Sequence, residues 1–509
     1  QTHSDASRGM IRFKYDSISG LKMQKISTKA IINYNHDSMG RIVEKQFIDQ
    51  INASDTITQL INWDDATTGN NGLGEINSIT IKSNSAIESK ESFAYDVFHK
   101  VKQKTLSLSS NQANYITNYQ RSPRGKLINM TFPDGSVQYN TYKNDNLQSV
   151  ALLDTQDSSK GVQTFATYSN YNANGRAERI RYANGNVINE LYSADGYLIG
   201  QNVKNGATSL YSKSIYWNAY MEISKIVDTQ NNDTIKYSYD QLRLTDFTSN
   251  SNNTKYHYAK GGNIDTIGTN AYNYNGNQLI SIKNGTTNKC NLSYDAFGNL
   301  KSKEQIGTST SHWSYFFNAK NELRSVKKDS KTQYSYKYNY KGIRISKKDS
   351  INDFELVYVN PSYQVTKSGM TNKVLHGPYG AIASITNGST LDANISGMPQ
   401  NGTLYYFHNH QGSVVATAND QGDFVSQVHY QPYGVMTQSG PNNFIPKYTG
   451  KEYDENTGLY YFNARYYDPI LRKFISADNQ LGAKAYRQDA YNRYAYALND
   501  PINHIDPSG

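Results

Sequence analysis

A short motif that recurs along the chain limits the folds that this sequence can adopt. The motif has the form Tyr-(Asp/Asn)-x-x-Gly-x-(Leu/Ile), and an alternating polar and apolar run follows each copy. Its later copies are spaced by about 20 residues, a period that is too short for a helical hairpin and suits a β-hairpin. These copies start at Tyr239, Tyr258, Tyr274, Tyr294, Phe317 and Tyr338.

Each copy of the motif carries the residue types of a tight turn. In the copy that starts at Tyr294, Asp295 is a turn former and Gly298 is conformationally permissive. Asp-Gly and Asn-Gly pairs, the strongest short hairpin signals, lie between other copies at 134–135 and 184–185. The motif and these pairs together predict a succession of β-hairpins.

The hairpins are expected to join laterally, because an isolated hairpin is only marginally stable. A sheet of so many strands coils with its intrinsic twist, and coiling also hides its edges. The 44 tyrosines suit half-buried strands, in which the ring packs and the hydroxyl reaches water or the backbone. Strict alternation predicts four rings on one face of one strand, those of Tyr334, Tyr336, Tyr338 and Tyr340. We therefore predict an all-β fold with the hairpins coiled into a spiral or closed wall.

Two stretches of the sequence lose the period. Residues 51–90 include a glycine-rich run at 67–74, which predicts a long loop or a decorated repeat. Residues 351–402 are predicted to be an irregular connection between the repeats and the last part of the chain. We accordingly divide the chain into repeats at 1–350, the connection at 351–402 and a closing region at 403–509.

Composition and charge exclude several classes of protein. The net charge of +9 is spread over scattered lysines, so no basic stripe for nucleic acid is predicted. A single cysteine, Cys290, excludes an internal disulfide framework. No run of 18 apolar residues is present, and a membrane-spanning helix is therefore not expected. The chain begins at Gln1 without an initiator Met or a signal-peptide pattern, and we expect a processed or trimmed piece of a longer protein.

The closing region resembles the core of the Rhs or YD-repeat family, which includes the C component of insecticidal Tc toxins. The residues that carry the resemblance lie at 448–452, 458–461, 464–469, 492–496 and 499–509, the last ending in Asp-Pro-Ser-Gly. The hairpin repeats resemble the YD repeats of the same family. The resemblance implies a hollow spiral β-sheet shell, or cocoon, that is closed by the Rhs repeat-associated core.

The resemblance also implies an aspartyl self-cleavage site just after the core. The family pattern has an Arg, an Asp thirteen residues later and a second Asp in a final Asp-Pro-x-Gly, which fall here on Arg465, Asp478 and Asp506. Two carboxylates held close together can share a proton, so that one acts as acid and the other as base. The arginine would orient both through its planar fork. Asn479 stands where the family usually has Pro, and the alternative is that both aspartates only cap turns.

The predicted function is a shell that encloses a C-terminal toxin domain, encoded after Gly509, for delivery to other cells. Its predicted partners are this cargo, a secretion or delivery machinery, and further shell segments or subunits, and its predicted location is the bacterial surface or the medium. It is at most an intramolecular aspartyl autoprotease without an external substrate. The alternatives are a YD-repeat adhesion or structural protein of the cell surface and a carbohydrate-binding module.

No cofactor or metal is predicted for this chain. His408 and His410 form a His-x-His pair that could ligate a metal from one face of a strand, but no third ligand stands at a diagnostic spacing. We therefore expect a turn with packed imidazoles at this position.

Overall fold

Antiparallel strands are the main secondary structure of the chain in the structure, a computed structural model. The described residues are 2–5, 9–65, 67–110, 113–250, 252–388, 401–441, 446–478 and 491–509. They divide into two compact units. The first combines Gln1–Val137 with Leu292–Lys367, and the second combines Gln138–Asn291 with Ser368–Gly509.

The strands follow one another with short connections. From the start of the chain they are β1 Thr2–Asp5, β2 Gly9–Tyr15, β3 Lys22–Ile26, β4 Ala30–His36, β5 Ile42–Asp49, β6 Thr56–Trp63, β7 Ile76–Ser83, β8 Ala86–Tyr95, β9 Val101–Leu108, β10 Asn114–Arg121 and β11 Leu127–Thr131. Next come β12 Val137–Lys143, β13 Asn146–Leu153, β14 Val162–Tyr171, β15 Ala177–Tyr182, β16 Asn186–Tyr192, β17 Leu198–Asn205, β18 Thr208–Trp217, β19 Ile223–Asp228, β20 Asp233–Asp240, β21 Arg243–Thr248, β22 Asn253–Tyr258, β23 Ile264–Ile267, β24 Asn270–Asn275, β25 Gln278–Asn284 and β26 Thr287–Tyr294.

The second half of the chain continues in the same way. Its strands are β27 Leu300–Gln305, β28 Ser311–Phe317, β29 Leu323–Lys328, β30 Lys331–Tyr338, β31 Arg344–Asp349, β32 Phe354–Asn360, β33 Tyr363–Thr366, β34 Thr371–Gly377, β35 Gly380–Asn387, β36 Gly402–His408, β37 Val414–Ala418, β38 Phe424–Tyr430, β39 Met436–Ser439, β40 Glu452–Asp454, β41 Leu459–Tyr461, β42 Tyr466–Asp468 and β43 Lys473–Phe474. Helical structure in the described residues consists of short 3-10 turns, which include Thr155–Lys160, Tyr448–Gly450 and Ala497–Asn499.

Neighbouring strands pair antiparallel in chain order. In the first unit this pairing joins β1 to β11 in succession, as in Asn33 of β4 opposite Gln46 of β5. In the second unit β34 and β35 pair over seven residue positions. The predicted long antiparallel sheet of hairpins is therefore present, and β40 to β43 form a separate small sheet in the closing region.

The repeated motif folds as a five-residue turn. In the copy at 294–300, the Asp295 side chain accepts hydrogen bonds from the backbone N–H groups of Phe297 and Asn299. Gly298 donates its N–H to the Asp295 carbonyl and has a φ of 82°, a conformation that favours glycine. Asn fills the place of this Asp in other copies, because its side-chain oxygen accepts the same bonds.

Several tyrosines at the ends of strands join their hairpin to an earlier strand. The hydroxyl donates to a backbone carbonyl at or next to the start of an earlier strand, as in Tyr239 to Ile223 of β19 at 2.7 Å. The same bond recurs from Tyr95 to Ile76, Tyr258 to Leu244, Tyr274 to Ile264, Tyr338 to Leu323 and Tyr430 to Val414. Phenylalanine could pack in this position but could not make the bond, which favours tyrosine there.

The predicted face of four tyrosines is confirmed for three of them. Tyr334, Tyr336 and Tyr338 are all buried on one side of β30. The last of the set, Tyr340, lies beyond the end of that strand and packs beside Phe93 with their ring centroids 6.3 Å apart. The turn that follows the strand interrupts the alternation, and the sequence pattern alone does not reveal this end.

Both stretches that lose the period contain regular strands. The structure corrects the predicted irregular connection at 351–402, because β32 to β35 occupy 354–387 as antiparallel hairpins. Strand β33 is buried at every position, so it has no alternation for a pattern search to detect. In the same way, β6 to β8 occupy most of 51–90, and the glycine-rich run belongs to the connection from 64 to 75. The domain boundaries themselves stay predictions.

Each unit has a core that joins segments distant in the sequence. In the first unit, Ile57 and Ile79 pack with Ala319. In the second unit, Tyr182 donates its hydroxyl to the Tyr406 carbonyl at 2.9 Å. Strands far apart along the chain are therefore in contact within a unit.

The closing sheet, β40 to β43, packs a cluster of fully buried aromatic rings. Tyr467 and Tyr496 have ring centroids 4.9 Å apart, and Phe462 meets Phe474 edge to face at 5.6 Å. Ring pairs of this kind contribute about 0.5–1.5 kcal/mol each beyond their burial. This cluster supports the loops described next. Within the residues that the structure describes, no helix is long and apolar enough to cross a membrane.

Candidate functional site

The three predicted site residues come from three separate loops of the closing region. Arg465 lies in the tight connection from β41 to β42, where the Phe462 N–H donates to the Arg465 carbonyl at 2.9 Å. Asp478 follows β43, and Asp506 lies in the turn at the end of the chain. Phe462, the first residue of this connection, is fully buried in the aromatic cluster and anchors the connection there.

The guanidinium of Arg465 lies between the two carboxylates. Its Nη2 is 3.2 Å from Asp478 Oδ2 and 3.2 Å from Asp506 Oδ2. Its Nη1 donates to the Arg493 carbonyl at 2.7 Å, and its carbon Cζ is 3.6 Å from the centroid of the Phe474 ring. Because the side chain is only 7% exposed, the ring and the carbonyl fix the fork in one orientation.

The two carboxylates remain accessible to water. The side chain of Asp478 is 38% exposed and that of Asp506 is 22% exposed. The backbone N–H of Asp478 donates to the same Arg493 carbonyl as the guanidinium does, at 3.0 Å. A water molecule can therefore reach a pair of carboxylates whose positions are set by one arginine and one backbone carbonyl.

Asp506 also organises the terminal turn. Its Oδ1 accepts the N–H of Gly509 at 2.8 Å and that of Ser508 at 3.2 Å. The Ser508 carbonyl in turn accepts the N–H of Ala464 at 3.0 Å. A Cβ at position 509 would lie 2.3 Å from the Phe462 carbonyl oxygen, so this close approach requires glycine. Asp506 therefore caps a turn with one oxygen and contacts Arg465 with the other.

The structure thus brings together all three residues that the sequence singled out. Their catalytic role stays a prediction, and Asn479, the departure from the family pattern, lies outside the described residues. Sequence reasoning missed the Phe474 ring under the guanidinium and the Arg493 carbonyl that orients it. Neither carries a local signal, because both act through their position in the folded closing region.

The His-x-His pair takes up two different environments. His408 ends β36 and lies beside Gly380, whereas His410 lies in the following turn and its Nε2 is 3.1 Å from the Ile502 carbonyl oxygen. In the described part of the chain, no group of three or more His, Cys, Asp or Glu side chains is arranged to hold a metal ion. Both rings line a cavity of 310 Å³ that Tyr192 and Glu190 also border.

Stability is expected to fall in mild acid because of these two histidines. Burial lowers the pKa of His408 to about 4, with nearby His376 adding to the shift, and burial lowers the pKa of His410 to about 4. Because the folded pKa lies below the ordinary value of 6.5, stability is complete above pH 6.5 and is lost as the pH falls toward 4. The loss is about 1.4 kcal/mol per pH unit for each histidine.

Urea unfolding followed by tyrosine fluorescence at pH 7.5 and pH 5 measures this effect. The double variant His408→Gln, His410→Gln should show a weaker pH dependence of the midpoint; it keeps the part from His376 and His429, whose pKa values burial also lowers. A wild-type midpoint that stays constant between the two pH values would contradict the prediction.

Comparison with known proteins identifies the family of this chain. The family model described as the teneurin YD-shell matches residues 202–502, which is more than half of the chain. The chain belongs to this YD-shell family. The repeats from residue 202 onward and most of the closing region fall within the matched range.

Bacterial relatives of this YD-shell chain include nucleases and a toxin subunit. The tRNA3(Ser)-specific nuclease WapA of Bacillus spizizenii is 27% identical over 69% of this chain and 14% of its own length. Toxin subunit YenC1 of Yersinia entomophaga is 23% identical over 86% of this chain and 46% of its own length. The chain therefore spans less than half of either relative.

A solved structure has the same fold as the YD-shell chain. The crystal structure of TcdB2-TccC3-Cdc42 superposes on all of this chain and on 28% of its own, with a TM-score of 0.79 and 17% identity. The match confirms the predicted all-β shell fold of the Rhs/YD-repeat type. Together with the family model, it also confirms the resemblance on which that prediction rested.

Proposed function

We propose that this YD-shell chain encloses a toxin domain that follows Gly509 and cuts itself from that domain after the closing region. The observation that carries the proposal is the contact of Arg465 with both Asp478 and Asp506, beside the terminal turn. The names of two relatives, a tRNA nuclease and a toxin subunit, agree with a toxic cargo.

The proposed reaction is hydrolysis of one peptide bond a few residues from Gly509. One carboxylate, in its ionised form, takes a proton from water as the water oxygen attacks the peptide carbonyl carbon. The other, in its protonated form, gives its proton to the leaving nitrogen. The carbon–nitrogen bond breaks, and one new carboxyl group and one new amine form. The two aspartates still hold one proton between them, now on the former base, and exchange with solvent returns them to their starting forms.

Arg465 has the role of orienting group in this reaction. Its guanidinium reaches both Oδ2 atoms from a single nitrogen and cannot lose its proton, so it holds the carboxylates at a constant separation. Such positioning matters because a displacement of about 1 Å can slow a reaction about a hundredfold. The site acts once on its own chain, and an external substrate is not part of the proposal.

The partners and location of the protein belong to the same proposal. We infer a bacterial protein that is secreted or displayed on the cell surface, with a delivery machinery and further shell segments or subunits as partners. The repeats at 1–350, the segment at 351–402 and the Rhs repeat-associated core at 403–509 are its proposed domains. Nucleic acid is not a proposed partner of the shell.

The full-length product of the reading frame provides the test. After purification it should consist of two fragments, with a new N-terminus within a few residues of position 509 by mass spectrometry. Arg465→Lys should slow the cut, since an ammonium cannot reproduce the planar fork. A folded wild-type protein that stays whole would refute self-cleavage and favour an adhesive or structural surface protein.

A further inference from the structure

A lysine outside the predicted triad reaches the terminal turn. Lys451 follows the 3-10 turn Tyr448–Gly450, and its Nζ donates to the Pro507 carbonyl at 2.7 Å. Its own backbone is held on both sides, because its N–H donates to the Tyr448 carbonyl and its carbonyl accepts the Lys447 N–H. The side chain is half-buried, and its ammonium lies 5.4 Å from the centroid of the Phe462 ring.

Lys451 completes a set of contacts that fix each peptide unit of the last turn. The Pro507 carbonyl is bound by Lys451, and the Ser508 carbonyl is bound by the Ala464 N–H at 3.0 Å. The N–H groups of Ser508 and Gly509 are bound by Asp506 Oδ1. Among these contacts, the one from Lys451 comes from a side chain that is distant in the sequence.

The charge of Asp506 also acts on the ammonium of Lys451. Burial lowers the pKa of Lys451, and the charge of Asp506 opposes that shift. The contact that the lysine makes is to the carbonyl of Pro507, the residue after Asp506. Lys451 therefore restrains the backbone directly after Asp506.

We propose that Lys451 is a positioning residue of the self-cleavage reaction, because it holds the Pro507 carbonyl and so aims the following backbone at the two aspartates. This inference rests on the proposed function. Lys451 itself transfers no proton and forms no bond to the reacting atoms. Its removal leaves Asp478, Asp506 and Arg465 in place but lets the backbone after Asp506 move away from them.

The test compares four variants of the full-length chain. Lys451→Met removes the donor and keeps most of the length, Lys451→Gln keeps polarity with a shorter reach, and Lys451→Arg keeps a long cationic donor. Lys260→Met is the matched control, since it makes the same charge change at an exposed lysine of a repeat turn. Each chain is made in a cell-free translation pulse, and the appearance of the two fragments is followed with time.

We expect Lys451→Met and Lys451→Gln to cut at least about tenfold more slowly than wild type. Lys451→Arg should cut within about threefold of wild type, and Lys260→Met at the wild-type rate. Rescue by arginine distinguishes positioning from a loss of folding, as does an unchanged thermal midpoint of the slow variants.

Two results would overturn this inference in different ways. Wild-type cleavage together with an unchanged rate in Lys451→Met and Lys451→Gln would refute the role of the lysine and leave the proposed function intact. A folded wild-type chain that does not cut would refute the proposed function, and the inference with it.

Discussion

A full-length chain that carries Asp478→Asn or Asp506→Asn is expected to remain uncut. Loss of one member of an acid–base pair costs about 100-fold to 10,000-fold in rate, because Asn neither accepts nor releases a proton. Asn at 506 can still accept the N–H of Gly509, now bound by Asp506 Oδ1 at 2.8 Å, so the turn should persist. Intact and cut chains are separated on one denaturing gel, with the fold checked by circular dichroism.

The matched control is Asp295→Asn, at a motif turn in a repeat. Asp295 caps its turn through the N–H groups of Phe297 and Asn299, and other copies of the motif carry Asn at this position. This variant should cut at the wild-type rate. Cleavage in both Asp478→Asn and Asp506→Asn at the wild-type rate would mean that these aspartates only cap turns and that another group or protease makes the cut.

Asp154→Ala is expected to be strongly destabilising, by about 3–5 kcal/mol, because it removes the carboxylate partner of a buried charge. Lys373 is fully buried in β34, and its Nζ is 2.7 Å from Asp154 Oδ1. The contact with Lys373 lowers the pKa of Asp154 in spite of burial. Urea unfolding at pH 7, followed by circular dichroism, measures the change.

Asp157→Ala is the control for this prediction. Asp157 is three residues away in the same connection and pairs with Lys160 at 2.6 Å, but both side chains are largely exposed. Exposed pairs contribute little to stability, so the unfolding midpoint should barely move. Equal midpoints for Asp154→Ala and Asp157→Ala would show that the buried pair is not needed for stability.

The motif turns illustrate what could be predicted from sequence. Asp295 and Gly298 take the roles expected of them because a turn depends on residues that are neighbours in the chain. The same holds for the alternation of Tyr334, Tyr336 and Tyr338 on one face. Strand β33 was not predicted, because burial at every position removes the alternation on which such a prediction depends.

The candidate site was predictable only in part. Arg465, Asp478 and Asp506 were identified through the resemblance of their spacing to a family pattern. The groups that hold Arg465 in place were not identified from sequence. The Phe474 ring and the Arg493 carbonyl are recognisable only in the structure, where both contact the guanidinium. Lys451 likewise lies 56 residues from the carbonyl that it binds.

The sequence by itself determined that this chain forms β-hairpins, because its turn residues and its tyrosines act over short distances along the chain. Only the tertiary structure decided which distant repeats pack together, such as those that carry Asp154 and Lys373, 219 residues apart. It also decided that Asp506 lies beside Arg465. These contacts depend on the accumulated twist and path of many strands, and no single stretch of sequence encodes that path.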